Sequence, residues 1–223
     1  MDFDFKPYFA QYEALVALAE ATFDRVRQAH KSLVKCGMTC DDCCYALFDV
    51  GLIEAVVINH HFIETYSGTE REQLLEAANR ADREIHRIKH RAVKAVKAGK
   101  PETEVLTEMG RERVRCPLLT ESRQCALYDH RPITCRLYGI PTRIGDQAHT
   151  CRLSGFESGK TYPTVNLEPI QRKLYEISTA LAHDIGSRYS GLGELLVPVS
   201  MALLTDYDEE YLGVKSETDR EKG

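Results

Sequence analysis

The sequence has no tryptophan, and it lacks any run approaching the roughly 18–20 apolar residues that a membrane-spanning helix requires. Its longest apolar stretches, near residues 55–58 and 195–204, are short and broken by polar side chains. Basic residues are not in excess either: 29 Lys and Arg stand against 34 Asp and Glu, for a net charge of −5. Phosphate contacts call for a strongly basic surface, so no nucleic-acid partner is expected. The opening Met1-Asp2-Phe3-Asp4-Phe5 has neither the basic nor the apolar region of an export signal, so a soluble, cytoplasmic chain with no membrane partner is expected. Familiar catalytic signatures are missing as well. No glycine-rich phosphate loop occurs, Gly191-Leu192-Gly193 is an isolated pair, and no Gly-x-Ser-x-Gly elbow is present.

Cysteine, by contrast, is plentiful, with eight residues in a chain of 223. In a reducing compartment structural disulfides are disfavoured, which leaves metal as the leading explanation. The first group is Cys36-Gly37-Met38-Thr39-Cys40-Asp41-Asp42-Cys43-Cys44. Four thiols within nine residues reach a common point from one loop, and a buried thiolate requires a compensating positive charge. Cys43 and Cys44 are neighbours and point in different directions in most backbone conformations, so two centres, or one ligand beside a packed thiol, are both compatible with them. The second group, Cys116, Cys125, Cys135 and Cys151, is more widely spaced. Only Cys40 and Cys43 have the Cys-x-x-Cys spacing that zinc ribbons supply twice. That departure favours an iron–sulfur centre, whose thiolates come from scattered positions. A [4Fe–4S] cluster is the expected form, with zinc as the alternative.

The rest of the chain reads as helix. Tyr8, Tyr12, Leu15, Leu18, Ala19, Phe23 and Val26 recur at spacings of three and four, which predicts an amphipathic helix over residues 8–34. A second helix is expected over 51–66, with Gly68 at its end and Thr69 capping a third, long one to about residue 98. Acids early in that helix (Glu70, Glu72, Glu76) and bases late (Arg87, Lys89, Arg91, Lys94, Lys97) complement its dipole. This is read as a solvated face rather than a docking site. Pro101 opens a short helix to about 114. The second cysteine region is loop-rich, with a short helix after Arg131-Pro132 and a small β-hairpin turning at Gly145-Asp146. Helices over 167–185, capped by Asn166, and over 197–204 complete the expectation. The fold class is therefore mainly α, with helices around a loop-rich, metal-centred cysteine region. Residues 1–214 form a single metal-binding domain, with the cysteine core at 36–151, a helical insertion at 69–98, and a flexible charged tail at 215–223.

Between Pro101 and Gly159 there are eight arginines (111, 113, 115, 123, 131, 136, 143 and 152) and no lysine. Guanidinium groups stay charged and make several directed hydrogen bonds. Here they either offset a thiolate-ligated centre or anchor loops through salt bridges.

Cys36-x3-Cys40-x2-Cys43-Cys44, then Cys116-Pro117-Leu118-Leu119, then Cys125-x2-Tyr128-x2-Arg131-Pro132-x2-Cys135-Arg136, and lastly Cys151, occur in order. With these the chain resembles the YkgJ-type cysteine-cluster proteins, a zinc- or iron-chelating domain. The resemblance spans residues 36–151 and implies metal binding through all eight cysteines, without a settled reaction. It also implies that Arg131-Pro132 sets the backbone before Cys135 and that Tyr128 packs or hydrogen-bonds near the site. A related domain occurs in flagellin lysine-N-methylases, which are associated with an iron–sulfur cluster. Cys36-x3-Cys40-x2-Cys43 is also the spacing of radical S-adenosylmethionine enzymes. Residue 42 is Asp where that family carries an aromatic, and the following segments read as long helices rather than alternating strands and helices. Among histidines, His86 and His90 stand four apart on a helix and read as a structural or exposed pair. Adjacent His60 and His61 face different sides of theirs, and His149 is a candidate alternative ligand or outer donor. The expected function is metal binding for electron transfer or redox chemistry with a protein partner. The alternatives are a zinc-stabilised interaction module and a cluster-dependent, methylase-like enzyme.

Overall fold

The computed structural model describes residues 3–37, 40–157 and 159–214; the predicted flexible tail, 215–223, lies outside them. The protein is mainly helical. Seven α-helices occur among the described residues: α1 (Lys6–Ala29), α2 (Leu52–Thr65), α3 (Gly68–Lys97), α4 (Glu102–Met109), α5 (Ile133–Leu137), α6 (Glu168–Asp184) and α7 (Val199–Leu204). Among the described residues, no helix is long and apolar enough to cross a membrane.

Helix α2 is the axis of the molecule. Every residue from Leu52 to Asn59 is buried, and a helix that is apolar on all sides must be surrounded. One side, with Leu52, Ile53, Val56 and Val57, meets Tyr12 and Leu15 of α1, Ile133 and Leu137 of α5, and Ile177 and Leu181 of α6. The other, with Ala55, Ile58 and Phe62, meets Ala78 of α3, Leu118, Leu127, and Ala202 and Leu203 of α7. Polar clasps fix these contacts. The Ile53 N–H donates to Ser178 Oγ (3.2 Å), and Asn59 Nδ2 donates to the carbonyls of Ala202 and Thr205 (both 3.0 Å).

Among the described residues, five short strands join the loops. β1 (Asp49–Gly51) pairs antiparallel with β5 (Leu196–Pro198), with Val50 opposite Val197. The expected hairpin forms from β2 (Thr142–Ile144) and β3 (Gln147–His149), turning at Gly145 with φ +56°. β4 (Val165–Asn166) adds to β2 in parallel, and the Asn166 side chain accepts the Glu168 N–H at the start of α6 (3.1 Å).

Several boundaries differ from the sequence expectation because tertiary pairing outweighs local periodicity. α1 stops at Ala29, where the Leu33 carbonyl accepts the Gly155 N–H (2.8 Å) and the His30 ring packs edge-on against Phe156 and Tyr162. α4 stops at Met109, because residues 113–114 run beside the first cysteine group: Arg113 bridges Ala46, and the Val114 N–H donates to the Tyr45 carbonyl (3.1 Å). α7 starts at Val199 because residues 196–198 are spent on β5. At the α2–α3 corner Ser67, not Thr69, is the N-cap position, and Gly68 takes φ +54° as the first residue of α3.

Candidate metal centre

The first cysteine group reaches its place through a 3₁₀ turn, residues Asp42–Tyr45. The Cys40 N–H donates to the Gly37 carbonyl (2.9 Å), and the Cys44 N–H to the Asp41 carbonyl (2.9 Å). The second group is laid alongside by backbone pairing. The Cys116 N–H donates to the Cys44 carbonyl (2.6 Å), and Leu119 bridges Cys125 across a tight turn, with the Ala126 N–H on the Leu118 carbonyl (2.7 Å). Cys135 rides on α5, the short helix expected after Arg131-Pro132. Pro132 is its N-cap residue, and it lacks the N–H that would be orphaned there.

Six of the eight predicted cysteines border one cavity of about 50 Å³: Cys40, Cys43, Cys44, Cys116, Cys125 and Cys135. The remaining wall is mostly apolar and includes Leu47, Val114 and Leu118. Ala81 and Ile85 also line it, so the long α3 helix, read from sequence as an insertion, roofs the thiols. Cys36 borders a second, more open cavity of about 290 Å³, which shares Cys40, Cys43, Cys135, Tyr128 and Arg131 with the first. Cys40, Cys43 and Cys135 therefore form a partition between the two. Cys151 borders neither. It lies beside Asp42, donating from Sγ to Oδ2 (3.4 Å), close enough to Cys36 for the two sulfurs to repel as thiolates. His149 lies on β3, exposed, sharing a separate cavity with Cys151.

Burial pushes the Cys36 and Cys116 thiols up to about 12, and raises Cys125 and Cys151 as well. Cys43 runs the other way. Hydrogen bonding from Cys135, then from Cys44, and the nearby charge of Arg131 hold it well below the ordinary thiol value against the cost of burial. Cys135 and Cys44 are raised in turn, foremost by their bonds to Cys43. The pocket thus stabilises a thiolate at its centre. A further charge in the same space costs more, unless a cation enters.

Acidic residues that sequence reasoning passed over hold this arrangement. Asp42 is 2% exposed. Its Oδ1 accepts Arg113 Nη2 (2.6 Å) and Arg152 Nε (2.8 Å), and Arg113 also donates to the Asp42 carbonyl (2.9 Å). Burial alone would raise its carboxyl, but hydrogen bonds from Arg152 and Cys151 and the two guanidinium charges hold it below the usual range. Asp41 takes a two-pronged ion pair from Arg123, both contacts at 2.9 Å. Glu54, buried in α2, accepts the Ile133 N–H (2.9 Å) and the Tyr12 hydroxyl (3.3 Å). It thereby caps the helix that carries Cys135. Burial raises its carboxyl above the ordinary value. Gly139 passes so close to Cys36 that any Cβ there would collide with the sulfur.

The arginines divide between the two roles foreseen for them. Arg113, Arg123 and Arg152 are loop anchors. Arg136 is buried and donates to Glu20 and to the carbonyls of Arg131 (2.8 Å) and Asp129. Arg131 lies flat on the Tyr128 ring, 3.6 Å from its centroid, with both residues lining the thiol cavities and its charge acting on Cys43.

A model of the CxxCxxCC family, described as "Putative zinc- or iron-chelating domain", matches residues 35–152, more than half of the chain. The chain belongs to that family. The matched span includes all eight cysteines and the α3 roof. No curated protein and no solved structure matches. As a CxxCxxCC protein the chain binds metal, zinc or iron, through a cysteine cluster, and the all-thiol donor set around the first cavity fits either.

The histidines differ in part from expectation. His86 and His90 are exposed on α3, with parallel rings 6.2 Å apart. His60 and His61 do not diverge as adjacent helical residues were expected to. Their rings meet at 5.1 Å, and ring nitrogens of both converge on Glu64.

Proposed function

We propose that the cysteines of this CxxCxxCC protein hold an iron–sulfur cluster, a [4Fe–4S] centre in the reading that fits best, and serve electron transfer with a protein partner in the cytoplasm. The observation that carries this is the number of sulfurs around one cavity, six where a single zinc takes four. A single zinc with bonds of about 2.3 Å draws its four thiolates to about 3.8 Å from one another. Here six thiols surround one cavity, yet among the described residues no three sulfurs lie within 4.8 Å of each other. A cluster is bulkier than one ion and separates its thiolates more widely. The cavity also has room beyond a bare ion, since a water occupies about 10–15 Å³ on the same scale.

Bound there, the cluster would supply reversible one-electron exchange. The chain's own residues supply the rest. Cys40, Cys43, Cys44, Cys116, Cys125 and Cys135 are the candidate ligands, and Cys36 and Cys151 stand outside it, Cys36 on the neighbouring cavity and Cys151 beside Asp42. Arg131 offers positive charge beside Cys43, and Ala81, Ile85 and Leu118 exclude water, which tunes the potential through charge and burial.

Anaerobic purification with iron, zinc and sulfide analysis tests the reading. Brown protein with matching iron and acid-labile sulfide, bleached by a strong reductant, is the expected result. Colourless protein with stoichiometric zinc and no sulfide overturns it in favour of a zinc-stabilised structural module.

A further inference from the structure

Outside the cysteine cluster, a second group of donors comes together at the C-terminal end of α2. Among the described residues, His60, His61 and Glu64 are the one trio of candidate metal-binding side chains whose donor atoms all lie within 4.8 Å of one another. We propose that these three residues form a separate site for a divalent transition-metal cation such as Zn²⁺ or Ni²⁺, distinct from the metal held by the cysteines.

The distances fit such an ion. Zinc binds imidazole nitrogen and carboxylate oxygen at about 2.0–2.2 Å. At the tetrahedral angle this separates neighbouring donors by about 3.3–3.6 Å. Glu64 Oε2 lies 3.3 Å from His60 Nε2 and 3.5 Å from His61 Nδ1. Both contacts are longer than the roughly 2.7–2.9 Å of a charge-assisted hydrogen bond. Two of the three donor separations thus match the edge of a coordination tetrahedron, and the third lies within 4.8 Å, which leaves a fourth position for water in an open three-ligand site.

Both imidazoles are held in place before any ion arrives. The Phe9 ring of α1 packs against His60 at 5.1 Å, and His130 stacks on His61 with centroids 3.5 Å apart and planes 17° from parallel. An ion binds in the plane of an imidazole, so two stacked rings do not share one. His130 is therefore a wall that fixes His61 rather than a fourth ligand. Location adds to the case. The last turn of a helix presents carbonyl oxygens and partial negative charge, which favours a cation, and α2 ends at Thr65, one residue beyond Glu64. Imidazole with carboxylate suits zinc, nickel or copper better than magnesium or calcium.

Untagged protein carrying its cysteine-bound metal, titrated with Ni²⁺ by calorimetry, tests the site. One Ni²⁺ per chain is expected. His60→Ala, His61→Ala and Glu64→Gln should each weaken it at least about tenfold, while His130→Ala weakens it less than any of the three. His86→Ala, which breaks the other histidine pair, should leave the step intact. Parent-like binding in the Glu64→Gln and His60→Ala proteins, or loss in His86→Ala instead, overturns the proposal. Iron, zinc and sulfide measured on the same samples should be unchanged in every variant. Failure of this site and failure of the cluster reading therefore register in different measurements.

Discussion

The thiols facing the inner cavity and the outer pair, Cys36 and Cys151, which with Asp42 form a rim outside it, are held by different forces. Cys44, Cys116 and Cys125 are tied by backbone pairing, and Cys135 by a helix whose first N–H is capped from the buried core. Cys116 and Cys125 pack directly on the apolar cluster of α2, α3 and α7. Cys36 and Cys151 depend instead on side chains, on the bare backbone of Gly139 and on the arginine-clasped Asp42. Backbone pairs buried against a core carry no titratable group, whereas a clasp built on an ionised carboxylate yields to acid. The inner cysteines are thus built to be permanent and the rim to be adjustable. Cys43, which borders both cavities, belongs to each.

Breaking that shared position should have the largest effect. Cys43→Ser is expected to lose most of the bound metal and to destabilise the fold, as checked by metal analysis and thermal unfolding. Retention of full metal content would remove Cys43 from the centre. Next in size, Glu54→Ala should cost about 2–4 kcal/mol, because two buried donors, the Ile133 N–H and the Tyr12 hydroxyl, lose their acceptor. Denaturant unfolding gives the number, and accelerated amide exchange confined to α5 would locate it.

Asp42→Asn tests the rim, at about 1–3 kcal/mol. Asp41 and Asp42 both have folded-state values below the ordinary carboxylate one. Their contribution is complete above about pH 4 and is lost as the pH falls through the lowered folded-state values. Acid should therefore loosen the rim first, seen as earlier reactivity of Cys36 and Cys151 towards a thiol probe active at low pH. In the Asp42→Asn variant that pH dependence should flatten.

Much of the fold was legible in the sequence, but the division of the thiols was not. The helical class, the hairpin at Gly145 and the short helix bearing Cys135 follow from periodicity and from Gly and Pro chemistry. Convergence of two cysteine groups follows from their number. The role of Asp42 did not: its charge between two cysteines reads as solvated until Arg113 and Arg152, distant in sequence, are seen to reach it. Glu54 was hidden in an apolar run where a carboxylate has no local signal. Acids inside the cysteine loop together with lysine-free arginines in the second segment were the one available hint of charge pairing between the two groups. The places where α1 and α4 stop were hidden for a related reason, since each is set by a hydrogen bond to a segment remote in sequence.

The smallest effect sharpens the contrast most. Arg123 ties the turn before Cys125 to Asp41, but its side chain is 69% exposed, and such a pair is worth about 0.2–1 kcal/mol. Its backbone sits at φ +60°, a left-handed conformation that costs a residue with a Cβ about 1–2 kcal/mol relative to glycine. Arg123→Ala removes the ion pair and keeps the strain, so it should be less stable than the parent by up to about 1 kcal/mol. Arg123→Gly removes both. Its relief is offset by a freer unfolded chain, which should bring it near the parent and above the alanine variant. In high salt the gap between parent and alanine should close while the gap between alanine and glycine persists, because screening acts on charge and not on backbone conformation. If alanine and glycine are equally stable at all salt concentrations, the turn at Arg123 is not strained, and the ion pair alone accounts for the residue.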